Sequence, residues 1–261
     1  MDNESAVELL LALSKPNAVL PQFPVSERAA ARSLVERIGH MPIAIAQMAS
    51  VIATSGNTFD PIAEIDQLYG LPEIFDDSGN FTTMQNSLEY PYNLSNVWNV
   101  SIERLEPDQK RLLEMMSFLD PDSIPNALLN DAVGRKDGFF SSKLALVRAR
   151  AGLLRSSLIE QNDQAGELRM HRLVQTFCRL NLEPAQHQRA FDLATSIVTH
   201  AWPVTPPEKR HNKQVWPAQQ ICLPHIQALA EVYEQSQTSN EDKRLVVDTL
   251  DFSSLLHHGA W

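Results

Sequence analysis

The sequence contains few cysteines and no long apolar run. Cys178 and Cys222 are its only two cysteines among 261 residues. Two thiols are too few for a disulfide framework or for a zinc site built mainly from thiolates, and they are typical of a reducing compartment. No stretch approaches the roughly 18 apolar residues that a bilayer-spanning helix needs. The sequence therefore predicts a cytoplasmic protein without a membrane segment.

Motifs for nucleotide hydrolysis and for catalysis are also missing. A P-loop needs a glycine followed by lysine, because backbone N–H groups cradle the phosphates while the lysine neutralises them. None of the nine glycines precedes a lysine. The sequence also lacks the motifs of a nucleophile elbow, a zinc protease and a dinucleotide fold. Asp120 and Asp122 lie in a turn-like context and are interpreted as caps or solvated turn residues. We expect no catalysis and no metal site from this chain by itself.

Helical periodicity dominates the first 72 residues. A first amphipathic helix is predicted to end before Pro16, and a second takes Ser26 as its N-cap. The third helix starts at Pro42, since proline is well tolerated at the first helical position, and a fourth follows Asp60. Four short helices with tight connections predict a small helical bundle over residues 1–72.

The rest of the chain divides into three further segments. Residues 73–95 are acidic, polar and without a period, which predicts a linker. Residues 96–184 hold three helical stretches, one of them starting at Pro107, and then two strand-like runs around a turn-rich loop. Three helices and a hairpin predict a winged-helix domain, with His171 closing the second strand of the wing. Residues 185–261 are helical, so the predicted fold class is mainly α.

A basic stretch lies on the predicted third helix of the winged-helix domain. Residues 138–157 contain no acid. They carry four basic residues, Lys143, Arg148, Arg150 and Arg155. In a DNA-binding winged helix such residues contact phosphates and base edges. The other interpretation makes the apolar positions core and the basic residues a solvated rim or a face for an acidic partner; these apolar positions are Leu144, Leu146, Val147, Leu153 and Leu154. The formal net charge of −10 disfavours binding to nucleic acid.

Three stretches resemble, in order, motifs of the NB-ARC family, the nucleotide-switch family of signal-transducing ATPases. "GHMPIAIAQMASVI" is similar to the Gly-Leu-Pro-Leu-Ala-Leu signature of its helical subdomain. "VWNVSIERLEPDQKRLLEMMSFLDPDSIP" resembles the start of its winged-helix subdomain in large fungal members. "LRMHRLVQ" lies where the family has its Met-His-Asp motif, and the final "LHHGAW" resembles the opening helix of a tetratricopeptide array.

The resemblance implies roles for particular residues. The motif proline, here Pro42, would pack on the adenine side of a bound nucleotide. The motif histidine, here His171, would contact the β-phosphate of ADP, with Met170 packing behind it. Arg172 stands where the family has an aspartate, so the charge is reversed. Taken without the resemblance, His171 also fits a packing role with a hydrogen bond to a backbone carbonyl, and Pro42 a simple helix start.

The resemblance also implies partners that this sequence does not contain. The family's P-loop and metal-binding strand are missing, so a P-loop nucleotide-binding domain, upstream or on a separate chain, is the expected partner. Tetratricopeptide repeats are expected to follow the C-terminal helices, and Trp261 ends what resembles an unfinished helix. ADP or ATP is expected only in a complete NB-ARC module, and this chain alone is expected to bind neither.

Overall fold

The computed structural model describes residues 1–15, 23–38, 40–54, 93–130, 133, 140–162, 166–203, 213–238, 252–253 and 255–256. Within these residues the chain is mainly helical and has one small antiparallel sheet. The chain divides into two compact units. The first comprises Met1–Leu105 with Arg155–Ser157, and the second comprises Glu106–Leu154 with Leu158–Trp261. The predicted helix after Asp60 and the predicted linker up to residue 92 lie outside the described residues.

The first unit is built from helices. Its described helices are α1 (Asn3–Ser14), α2 (Val25–Arg37), α3 (Pro42–Thr54) and α4 (Asn93–Glu103). Helix α1 packs against both α2 and α3, and α4 packs against α3. Their shared interior is apolar and includes the fully buried side chains of Leu10, Leu11, Leu34, Ile38, Ile45 and Met48. Removal of this apolar surface from water stabilises the unit.

The ends of these helices follow local sequence signals, with one exception. Helix α1 ends before Pro16 and α3 begins at Pro42, as the two prolines predict. Helix α2 instead begins at Val25, and its N-cap is Pro24 rather than the predicted Ser26. Pro24 takes an extended backbone, with φ −54° and ψ 148°, and no side chain caps this helix. The fixed φ of proline sets the chain for entry into the helix, so Ser26 lies inside the first turn.

The second unit combines six helices with three short strands among the residues described. The helices are α5 (Pro107–Met116), α6 (Asn126–Asn130), α7 (Lys143–Arg155, whose last residue clusters with the first unit), α8 (Arg172–Leu180), α9 (Pro184–Ala201) and α10 (Trp216–Thr238). The strands are β1 (Ile124–Pro125), β2 (Ile159–Asn162) and β3 (Glu167–Met170). In neither unit does a described helix combine the length and the apolar character that crossing a membrane requires.

The predicted hairpin is present as β2 and β3. These strands are antiparallel, and their register runs from Ile159 opposite Met170 to Asn162 opposite Glu167. Gly166 has a φ of +66°, which glycine adopts without strain, and its N–H donates to the carbonyl of Asn162. Strand β1 was not predicted, because two residues are too short to show a period. It pairs with the other edge of β3 and gives the strand order β1-β3-β2.

Aromatic side chains hold the helical part of the second unit together. Phe118, directly after α5, meets the ring of His187 edge-on at 4.8 Å and that of Phe191 at 6.0 Å. Phe191 in turn contacts Phe252 at 5.0 Å, and Phe252 contacts Tyr233 of α10. Edge-to-face contacts of this kind add to the stabilisation that burial alone supplies. This cluster connects α5, α9 and α10.

A four-residue turn after α5, Leu119–Asp122, is bound by side chains from two later helices; we call it the junction turn. The carbonyl of Leu119 accepts a hydrogen bond of 2.7 Å from Nε2 of Gln175 in α8. The N–H of Asp120 donates to Nδ1 of His225 in α10 at 3.1 Å. Both side-chain partners are buried. Because a buried polar group without a partner is costly, these bonds fix the position of the turn.

The buried bond from Gln175 to the junction turn gives a direct test. We expect Gln175→Met to lower the free energy of unfolding by about 1–3 kcal/mol, because the carbonyl of Leu119 loses its partner while side-chain volume is kept. Gln220→Met, at an exposed position of α10, should change it by less than about 0.5 kcal/mol. Urea unfolding followed by circular dichroism measures both. Equal effects of the two substitutions would contradict the assigned role of Gln175.

Candidate functional site

His171 lies at the junction between a strand and a helix. Strand β3 ends at Met170, and α8 begins at Arg172. His171 is the N-cap of α8, with an extended backbone, and its Nδ1 accepts a hydrogen bond of 3.2 Å from the N–H of Leu173. A side-chain acceptor at this position satisfies one of the unpaired N–H groups of the first helical turn. The sequence predicted that His171 closes the second strand, whereas the structure ends this strand one residue earlier and makes His171 the first residue of the helix cap.

The hydrogen bond fixes which ring nitrogen of His171 carries the proton. The N–H of Leu173 is a donor only, so Nδ1 is the acceptor and the neutral ring is protonated at Nε2. The side chain is exposed, whereas Met170 before it is buried. His171 therefore offers an N–H donor to solvent or to a ligand from a position held by a strand on one side and a helix on the other.

Arg172 forms an ion pair that its sequence neighbours did not indicate. Its Nη2 lies 2.5 Å from Oδ2 of Asp122 in the junction turn. The same turn accepts the N–H of Met170 at the carbonyl of Pro121, at 2.9 Å. Both side chains of the ion pair are exposed, so its contribution to stability is small, about 0.2–1 kcal/mol. Together the two contacts attach both chain segments that flank His171 to the junction turn.

The two aspartates of the junction turn differ in their roles. Asp120 accepts the N–H of Asp122 at 2.8 Å, as the interpretation of a turn residue predicts. Asp122 carries the ion pair with Arg172, which the sequence interpretation missed. The two partners are 50 residues apart in the sequence. No local sequence pattern marks such a pair.

Pro42, the other predicted nucleotide contact, is the exposed first residue of α3. It belongs to the first unit, and His171 belongs to the second. The predicted joint contribution of Pro42 and His171 to one nucleotide site therefore stays a prediction.

The four basic residues on α7 do not share one surface. Lys143, Arg148 and Arg155 are exposed. Arg150 is partly buried, and its guanidinium donates to Oδ1 of Asn126 in α6 at 2.8 Å. Arg150 thus has a structural partner, which leaves three of the four candidates on the exposed side of the helix.

The apolar residues of α7 also include both buried and exposed side chains. Leu146 and Leu153 are buried, as their interpretation as core predicts. Leu144 and Val147 are 57% and 47% exposed, so that interpretation is wrong for these two residues. Leu144 lies three residues before Val147 and four before Arg148, so its side chain neighbours both on the helix surface. The exposed face of α7 is therefore partly apolar rather than uniformly basic.

The environment of His225 strongly shifts its pKa. It is fully buried in α10, and burial lowers its pKa from the ordinary 6.5 to about 4, although the charge of Asp120 acts in the opposite direction. A neutral ring suits its geometry, since Nδ1 must stay unprotonated to accept the N–H of Asp120. Its Nε2 has no hydrogen-bond partner among the described residues. Protonation of His225 therefore opposes the contact between α10 and the junction turn.

Neither cysteine has the environment of a reactive thiol. Cys178 and Cys222 are both buried and unpaired by disulfide. Burial raises the pKa of Cys178 to about 12 and that of Cys222 to about 11, so both are protonated at neutral pH. Across the described part of the chain, no three side chains of histidine, cysteine, aspartate or glutamate come together as metal ligands.

Comparison with known protein families gives one match. A family model described as a domain of unknown function (DUF7779) matches residues 100–187, about a third of the chain. The matched interval includes α5, the junction turn, the three strands and α8, and therefore His171 with its supporting contacts. The chain has no significant match among curated proteins.

The buried His225 predicts a pH dependence of stability. Because its folded pKa is lowered, its stabilising effect is complete above pH 6.5 and is lost as the pH falls towards 4. The lowering of the pKa of His225 corresponds to about 3 kcal/mol of unfolding free energy. His225→Asn keeps an acceptor for Asp120 but does not titrate. We expect it to flatten the decline in unfolding free energy between pH 6.5 and 4.5, measured by urea unfolding.

The matched control for this measurement is His200→Asn, because His200 is exposed near the end of α9. This variant should follow the pH profile of the unchanged protein. A His225→Asn variant with the same decline as the unchanged protein would refute the assignment of the acid sensitivity to His225.

Proposed function

We propose that this chain is the regulatory part of an NB-ARC-type nucleotide switch. In this proposal it closes on ADP held by a P-loop domain and couples that closure to a helical-repeat sensor. The observation that carries the proposal is the placement of His171, an exposed N-cap residue between β3 and α8 with its Nε2–H free of the capping bond. The same residue occupies the histidine position of the Met-His-Asp motif in the sequence resemblance.

The chemistry of this position suits contact with a phosphate. A ring N–H donates well to an anionic oxygen, and charge-assisted bonds of this kind are stronger than neutral ones. The first turn of α8 adds the partial positive charge of a helix N-terminus. Arg172 adds a full positive charge next to it, partly balanced by Asp122. Where the family has an aspartate, this chain thus has an arginine whose acidic partner comes from the junction turn.

The order of elements in the second unit supports the same proposal. Helices α5, α6 and α7 precede the β2–β3 hairpin, and β1 pairs with the hairpin from the side of β3. We interpret this order as that of a winged-helix domain, with the hairpin as its wing. Helices α9 and α10 pack against each other, as the opening helices of a tetratricopeptide-like array would. We assign ligand sensing to that array and nucleotide sensing to His171.

The proposal gives this chain no hydrolytic activity of its own. Backbone N–H groups and a lysine of a P-loop bind most of the phosphate charge in such ATPases, and the sequence has no such loop. His171 supplies one hydrogen bond, which by itself corresponds to weak binding. ADP would therefore link this chain to its P-loop partner, since a ligand shared by two bodies stabilises their closed arrangement.

His171→Ala tests the proposal in the complete assembly with an ADP-bound P-loop domain. We expect ADP release to become roughly tenfold to a hundredfold faster, because one charge-assisted hydrogen bond to the phosphate is lost. Stopped-flow release of a fluorescent ADP analogue measures the rate. His200→Ala removes an exposed histidine elsewhere in the same unit and should leave the rate unchanged. If His171→Ala leaves the rate of ADP release unchanged, the proposal is contradicted and His171 serves only as the N-cap of α8.

Binding to DNA through α7 is the second candidate, because Lys143, Arg148 and Arg155 are exposed on this helix. The exposed Leu144 and Val147 between them favour a protein surface instead, since phosphates offer no apolar contact. We expect fluorescence anisotropy to show no steeply salt-dependent binding to duplex DNA. Tight binding that weakens steeply with salt, and that is lost when the three basic residues are changed to alanine, would favour the DNA-binding function.

A further inference from the structure

A groove lies between α5 and α9, away from His171 in sequence and on other elements of the second unit. Its volume is about 340 Å³. Its polar lining comes from both helices and consists of Lys110, Arg111, Glu114, Gln186 and Arg189. The apolar residues Pro107, Ala190 and Leu193 complete the wall. Neither the sequence resemblance nor the matched family assigns a role to this groove.

The charges in the groove are predominantly positive. Lys110 and Arg111 lie on α5, and Arg189 lies on α9, so the two walls both contribute cations. Glu114 is the single carboxylate among the described lining residues, beside these three cations. The lining of the groove is therefore more basic than the chain as a whole, whose formal net charge is −10. A groove lined mainly by basic side chains attracts an anion more strongly than the rest of this acidic surface does.

The carboxyl group of Glu114 is partly buried among these basic side chains. Burial raises the pKa of its carboxyl above the ordinary value, although the charges of Arg189, Lys110 and Arg111 each lower it. Desolvation therefore has the larger effect on this group. A carboxylate that has lost part of its water gains more from a hydroxyl donor than one in open solvent does.

The helix N-termini at the groove do not supply the positive charge. Pro107 is the first residue of α5, and Gln186 lies in the first turn of α9. In both helices a capping box pairs two of the terminal N–H groups, those of the N-cap (Glu106 or Glu183) and of the third helical residue. The anion affinity of the groove therefore depends on its basic side chains, which substitution can remove.

We propose that this groove binds a small phosphate monoester that carries hydroxyl groups, such as a sugar phosphate. Lys110 and Arg189 bind the phosphate, and Glu114 accepts a hydrogen bond from a hydroxyl of the ligand. The volume is at the lower end of the range of small-molecule pockets. This site is separate from the proposed nucleotide contact at His171, and it does not depend on the switch function.

Calorimetric titration of the whole chain with ribose 5-phosphate, inorganic phosphate and ribose tests the proposal. We expect ribose 5-phosphate to bind best, inorganic phosphate to bind more weakly, and ribose not to bind. The double variant Lys110→Ala with Arg189→Ala should lose affinity for both phosphates by roughly tenfold or more. Absence of saturable binding of ribose 5-phosphate at millimolar concentration would overturn the proposal.

Two further variants separate this site from a general effect of charge. Lys143→Ala with Arg148→Ala removes the same charge from exposed positions of α7 and should leave both affinities unchanged. An equal loss in this control would show non-specific attraction and would overturn the proposal. Glu114→Gln should keep the binding of inorganic phosphate but reduce the preference for ribose 5-phosphate. An unchanged preference would overturn the assigned role of Glu114.

Discussion

The junction turn is the constraint on which the arrangement of the second unit depends. Four consecutive residues connect α5 to three elements that are distant in sequence, namely β3, α8 and α10. Two of these connections use buried side chains, Gln175 and His225, each of which would leave an unpaired group if the turn moved. Helix α10 is therefore linked to the same short segment that holds the chain around His171.

The junction turn connects the candidate site to the C-terminal helices through direct contacts. The turn binds the N–H of Met170 and the guanidinium of Arg172, the two neighbours of His171. It also binds His225 of α10, one of the two helices assigned to the proposed sensor. A shift of α10 would move the junction turn through His225. Movement of the turn would displace Met170 and Arg172, the two neighbours of His171. A shared element of this kind provides a physical connection between the proposed sensor and the proposed nucleotide contact.

Sequence alone predicted the elements with strong local signals. Pro16 and Pro42 marked helix ends, and the hairpin followed from two short strands around a turn-rich loop. Strand β1 was missed because two residues carry no period. Helix α10 begins at Trp216 and continues through Pro224, whereas a proline favours a helix start at that point. Here tertiary packing overrides the local preference, and only the folded chain shows it.

The site could be predicted only in part for the same reason. His171 was identified through its motif and its place between strand and helix, which are local properties of the sequence. The contacts that support it come from residues about 50 positions away, and the exposure of Leu144 and Val147 depends on which face of α7 the core covers. Charge pairs and burial of this kind are decided by packing, since the linear pattern fits more than one arrangement.

The ring resonances of His171, assigned with a His171→Ala spectrum, test the central claim most directly. In the chain alone, nitrogen NMR should show the proton on Nε2, because Nδ1 accepts the N–H of Leu173. On addition of an ADP-bound P-loop partner domain, the Nε2 resonance should shift, and the nucleotide-free domain should leave it in place. The same resonance with and without ADP in the assembly would contradict a role for His171 as the nucleotide contact.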